Sequence, residues 1–237
     1  GFTGAQLELL GKEASFYCLR HGLPAITQDI LIDQLNRIKY GERHSYLSLE
    51  EMFEETAIYE AGRTVISKVL MPHVYIEHVS LTPKDNNEHF ISHNYNDVQD
   101  NMTVKDFKDK ICVSLAGRTS QIKRFGAIEG LDAGASNDLQ QATRDAYAAI
   151  AHYGMDHEVG YININGVMDA REKSSNNKET KHYHEKIDIA LERWMLEGQK
   201  NVTDLVNEHW STIESLSKLL FEKEIIYADE LDEILAR

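Results

Sequence analysis

The feature that most constrains this chain is the run Glu54-Glu55-Thr56-Ala57-Ile58-Tyr59-Glu60-Ala61-Gly62-Arg63-Thr64-Val65-Ile66-Ser67-Lys68-Val69-Leu70. Apolar or small residues recur at Ile58, Ala61, Gly62, Val65, Ile66, Val69 and Leu70. That three-and-four spacing predicts a helix with one buried face, ending near Met71-Pro72. Tyr59 and Arg63 fall one turn apart on an adjoining stripe, with Glu60 beside them.

The positions of Tyr59, Glu60 and Arg63 are those of the zinc-peptidase helix motif H-E-x-x-H with both histidines replaced. In the intact motif, imidazoles at i and i+4 hold Zn²⁺ at about 2.0–2.1 Å and the glutamate works on the metal-bound water. A phenol at the first ligand position stays protonated near neutral pH. A guanidinium at the second is always charged and has no lone pair to donate. Arg63 therefore repels a zinc ion rather than binding it. Taken alone, Y-E-A-G-R also reads as a buried helix with a charged edge, so the rest of the chain has to decide.

A chain of 237 residues allows one large domain or two smaller ones. The net charge of −14 argues against nucleic acid or an anionic membrane as partner, because the phosphate interaction is repulsive. Cys18 and Cys112 sit in apolar helical patterns and read as reduced core residues of a cytosolic protein. No apolar run approaches the ~18–20 residues needed to cross a bilayer, and no signal-peptide pattern is present. Three prolines and few turn clusters predict a mostly α-helical protein.

In chain order, Gly1-Phe2-Thr3-Gly4-Ala5 opens a helix with Leu7, Leu10, Ala14, Phe16, Tyr17 and Cys18 on its inner face. Thr27-Gln28-Asp29 caps a second, Ile30 to Tyr40. Gly41 to Ser48 reads as a linker. After the organising helix, Val74 to Thr82 is a strand pattern, and Lys84 to Asn101 a long polar loop with a short strand around Phe90-Ile91. Thr103 begins a helix that closes at Ala116-Gly117-Arg118. The link Phe125-Gly126-Ala127-Ile128 leads to Gly134-Ala135-Ser136-Asn137-Asp138-Leu139-Gln140-Gln141-Ala142-Thr143, which opens a helix to about Tyr153. Gly166 to Lys181 is another polar loop. Two amphipathic helices, His184 to Gln199 and Thr203 to Phe221, and a short terminal one from Asp229 to Leu235 complete the chain.

Y-E-A-G-R, L-A-G-R, F-G, G-A-S-N-D-L-Q-Q-A-T and Y-G-M, in this order and spacing, resemble the peptidase domain of FtsH-type AAA+ zinc metalloproteases (peptidase family M41). The opening G-F-T-G-A-Q-L resembles the last helices of the same family's AAA+ lid. The resemblance implies a helical metalloprotease-like domain with a small β-sheet at 44–237, preceded by the C-terminal part of a lid at 1–43. It maps the family's general base onto Glu60, its third zinc ligand onto Asp138, and its two histidine ligands onto Tyr59 and Arg63, where the pattern breaks. It also places Gly4 and Ala5 near the nucleotide of a complete protein. This chain has no G-x-x-x-x-G-K-[ST] loop, so ATP belongs to the full-length protein and no cofactor is expected here. The family further implies a homo- or hetero-hexamer acting on protein substrates, on the cytoplasmic side of a bacterial or organellar inner-membrane-anchored protein.

Two functions follow. The first is a pseudo-peptidase that serves as hexamerisation and substrate-handling platform for ATP-driven unfolding. The alternative is an active zinc endopeptidase with non-standard ligands such as His78 or His93. The pairs His89/His93, His152/His157 and His182/His184 lie in loops or at helix ends and read as surface histidines. A plain interaction module, with the cleft reduced to core, is a third possibility. Under the first reading, no metal is held, and Arg63 is expected to bridge Asp138 at about 3 Å, with the Tyr59 hydroxyl as secondary donor.

Overall fold

The structure is a computed structural model that describes residues 3–40, 50–81, 91–93, 102–167 and 178–235. The chain divides into two compact units, Gly1–Ser48 with Thr82–Phe90, and Leu49–Leu81 with Ile91–Arg237.

In the smaller unit, α1 (Gly4–His21) packs on α2 (Gln28–Tyr40). Thr3 caps α1 by accepting from the Gln6 amide, while the Gln6 side chain accepts from the Thr3 amide. Gly22, at φ +65°, ends it in the left-handed conformation that a side chain disfavours. Ala14 and Cys18 are buried as expected of the inner face. Leu7 and Phe16 are instead exposed, and Gln34 of α2 takes a core position.

The larger unit is mostly α-helical. The organising run forms α3 (Glu50–Leu70), which packs on α4 (Val104–Glu129). α5 (Ser136–Tyr147) lies against α4 and continues as a wider π turn, Ala148–His152. α6 (Lys178–Glu208) crosses α4, and α7 (Trp210–Lys223) packs on α3. β1 (Ile76–Ser80) is the middle of a three-stranded antiparallel sheet between β2 (Ile91–His93) and β3 (Ile225–Tyr227), and α8 (Ala228–Leu235) follows. The register pairs His78 with Tyr227 and Ile76 with His93, with an irregularity between Ile76 and Val79. One core joins these elements: Ala57, Ala61, Val65 and Ile66 of α3 meet Ile111, Ala116, Ala142, Ile150, Ile213 and Leu216.

Several boundaries differ from the sequence expectations, among them the start of α6 at Lys178 inside the expected loop. α4 does not close at Gly117, because that glycine is a contact point inside the helix; the backbone departs only at Gly126, φ +88°. The expected break between Gln199 and Thr203 is absent. Gly198 lies inside α6, where an added Cβ would come 2.8 Å from the Ile111 side chain. β3 was hidden because its Ile225-Ile226 run reads equally as the tail of a helix. The linker 41–48, most of the loop 84–101 and residues 168–177 lie outside the described residues.

Candidate functional site

Close approach of α3 and α4 sets the site. At Gly62 an added Cβ would stand 2.1 Å from Ser120 Oγ, and at Gly117 it would stand 2.7 Å from three atoms of the Tyr59 ring. The phenol therefore lies against bare α4 backbone. Ser120 turns its hydroxyl back to the Ala116 carbonyl at 2.8 Å, which keeps that buried oxygen satisfied.

From the other side comes the first turn of α5. Asp132 accepts the Gly134 amide at 2.7 Å and shapes the turn before the helix. Ala135, at the N-cap position, offers no side-chain cap. Asp138 then projects from the first turn, where the helix dipole favours an anion, and is only 5% exposed.

The structure brings Tyr59, Glu60, Arg63 and Asp138 together, but it reverses the expected roles of the first and third. The Tyr59 hydroxyl donates directly to Asp138 Oδ2. Arg63 Nε stands 3.6 Å from that same oxygen, and Nη1 stands 3.8 Å from Glu60 Oε2. Both distances exceed hydrogen-bond length, so the guanidinium balances charge between the carboxylates rather than forking onto Asp138. Sequence spacing placed Arg63 and Glu60 on one helix. It could not show that the shorter, flatter phenol reaches across first.

Electrostatics follow from burial. Glu60 is 1% exposed and Arg63 is 7% exposed. Desolvation pushes the Glu60 carboxyl up to about 7, with Arg63 opposing and Asp138 reinforcing the shift. Burial, and then the Asp138 charge, drive the Tyr59 phenol far above its ordinary value, so it remains a proton donor.

These residues do not fit a catalytic zinc. Tyr59 holds its proton against Asp138, Arg63 has no lone pair, and one Asp138 oxygen already accepts a hydrogen bond. Among the described residues no three His, Cys, Asp or Glu side chains group as metal ligands. His78 is buried on β1 with its ring 6.2 Å from that of Tyr227. The side chain of His93 and all of His89 lie outside the described residues. Gly4 and Ala5 are the first two residues of α1, both exposed.

Sequence reasoning missed a second buried cluster. Asp156 Oδ2 accepts from Arg193 at 2.7 Å and from Trp194 Nε1 at 2.8 Å, while Oδ1 accepts the Glu158 and Val159 amides at 3.0 and 3.2 Å. An aspartate two residues after Gly154 was a signal for such a turn.

A profile described as Peptidase family M41 matches residues 47–234. The chain belongs to peptidase family M41. It is 26% identical, over 99% of its length, to ATP-dependent zinc metalloprotease FtsH 1 of Thermoanaerobacter sp. (strain X514), of which it covers 39%. It is 25% identical, over 97% of its length, to the chloroplastic ATP-dependent zinc metalloprotease FTSH 1 of Arabidopsis thaliana, covering 33%. The mitochondrial FTSH 10 of the same plant is 25% identical over 99% of the chain, covering 28%. The M41 chain thus spans well under half the length of these relatives. No helix among its described residues is long and apolar enough to cross a membrane.

Proposed function

We propose that this chain is the C-terminal part of an FtsH-like AAA+ protein whose peptidase domain does not cut. It acts as a hexamerisation and substrate-handling platform for ATP-driven unfolding, in a ring of like or mixed subunits. Residues 1–43 are the end of the lid, with Gly4 and Ala5 beside nucleotide in the complete protein. Residues 44–237 are the pseudo-peptidase, on the cytoplasmic side of an inner-membrane-anchored protein. The observation that carries this reading is Tyr59 donating to Asp138, with Arg63 lying between Asp138 and Glu60. A proton and a guanidinium occupy the ligand positions, so Glu60 has no metal-bound water to act on.

The relatives' names favour a second reading, an ATP-dependent zinc endopeptidase with non-standard ligands, since Glu60 and Asp138 are both retained. One experiment separates the two. Full-length protein is assembled with ATP and offered casein and a folded substrate, and its metal content is measured. Unfolding without cleavage, unchanged by added zinc, is the expected result. Stoichiometric zinc with ATP-dependent cleavage, both lost in Asp138→Ala, supports the second reading.

A further inference from the structure

We propose that Tyr59 and Arg63 form an internal tie that pins the first turn of α5 to α3 and α4 through protein atoms alone, making the order of residues 131–142 independent of any divalent metal.

The need for such a tie is local. Residues 131–134 are exposed, and Ala135 gives α5 no side-chain cap. The turn's own bonds, Asp132 to the Gly134 amide and the Ser136 amide to the Ala133 carbonyl, close on neighbouring residues. Gln121 Nε2 of α4 also donates to Asp132 Oδ2, but at 3.4 Å that bond is long and shared with the Glu55 carbonyl. Asp138 adds the closer attachment. Its carboxylate is buried, and its bond from Tyr59 spans 79 positions of sequence.

Each partner is held from behind. The Tyr59 ring rests on Gly117, where any side chain would collide with it, so its hydroxyl has one orientation. Arg63 approaches Asp138 and Glu60 at 3.6 and 3.8 Å and lies 6.0 Å from the centre of the Tyr59 ring. Without that cation, two carboxylates would share a buried space beside a phenol. Tyr59 supplies the bond and Arg63 supplies a positive charge beside the buried Asp138 carboxyl group. The tie stands whether or not the assembled protein unfolds substrates, because it is made by side chains of this chain.

The test uses the full 237-residue chain and two readouts, thermal melting and amide hydrogen exchange. In the parent, chelator and added zinc should leave both unchanged. Tyr59→Phe, which keeps the ring and deletes the hydroxyl, should lower Tm by about 3–6 °C. It should also speed exchange of the 136–142 amides roughly tenfold or more, leaving those at 158–160 as in the parent. Asp138→Asn guards against a folding defect in the first variant, and the double variant should lose less than the sum of the singles. A parent whose Tm or exchange responds to chelator overturns the proposal. So does a Tyr59→Phe chain with parental exchange at 136–142, or strict additivity of the two changes. Casein cleavage by the assembled protein, with exchange at 136–142 still indifferent to chelator, would remove the proposed function and leave this tie standing.

Discussion

Two buried carboxylate–arginine clusters in the larger unit are put together in opposite ways. At Asp156 every oxygen is engaged at 2.7–3.2 Å: two backbone amides on one, Arg193 and Trp194 on the other. Burial alone would raise this carboxyl, but the bonds from Trp194, Val159 and Glu158 and the charge of Arg193 outweigh it and hold the carboxyl low. At Asp138 and Glu60 the arginine stands off at 3.6–3.8 Å, and Glu60 rises to about 7. The first is an ion pair built for its surroundings. The second is a charge balance held at longer range. The two differ in whether the donors reach the oxygens, and in burial: the Arg193 side chain is 26% exposed and that of Arg63 8%.

The contrast makes its largest claim at Asp156. Asp156→Ala strands the Trp194 N–H and removes the buried partner of Arg193, so unfolding by denaturant should show a loss of about 3–4 kcal/mol. A loss under about 1 kcal/mol would mean that water replaces these bonds, and that the two clusters are alike.

Next comes pH, where the clusters should respond with opposite signs. Glu60 has a folded value of about 7 against an ordinary 4.5, so the native state binds the extra proton between them. Stability therefore falls as pH rises from about 4.5 to 7, and the penalty, up to ~3 kcal/mol, is complete above that window. Asp156, held low, contributes stability above its ordinary carboxylate range and loses it as pH falls below. Glu60→Gln should flatten the slope between pH 5 and 7 and leave the acid limb untouched. An unchanged slope would show that Glu60 is ionised throughout.

If the stand-off reflects an inherited metal geometry, Tyr59→His with Arg63→His should restore metal binding. At zinc concentrations near 100-fold above the dissociation constant, the double variant should gain about 2.7 kcal/mol. Either change alone should gain nothing, because one leaves the cation and the other leaves the phenol bonded to Asp138. A folded double variant that ignores zinc in calorimetric titration would show that the groups around the ligand positions have drifted.

Removing the stand-off cation alone is a milder change. Arg63→Ala should cost about 2 kcal/mol, less than Asp156→Ala, because Glu60 can take up a proton and relieve the repulsion. Its cost should shrink as pH is lowered from 8 to 5. A cost independent of pH would mean that Arg63 acts by packing.

Much of this was legible in the sequence. The α3 face follows from its three-and-four spacing, and the family resemblance of G-A-S-N-D implied that Asp138 joins Tyr59, Glu60 and Arg63. The division of labour between Tyr59 and Arg63 was not legible, since reach across an interface depends on how close Gly62 and Gly117 let α4 come. The same two-sided role of glycine misled the helix ends: Gly117 and Gly198 look like stops, yet each is where another side chain enters. The Asp156 cluster was missed because its side-chain partners lie 37 and 38 positions away, beyond any local pattern.

The smallest effect tests the rim of the better-built cluster. Arg193 also meets Glu158 at 2.7 Å, shorter than either Arg63 contact, but the Glu158 side chain is 56% exposed. In water that pair gains little, since solvent screens it and holding two long side chains costs entropy. Glu158→Ala should therefore change unfolding free energy by less than about 0.5 kcal/mol. The Glu158 amide still reaches Asp156 in that variant, because the bond belongs to the backbone. A loss approaching that of Asp156→Ala would mean that Arg193 is positioned by Glu158, and that the buried cluster depends on a surface contact.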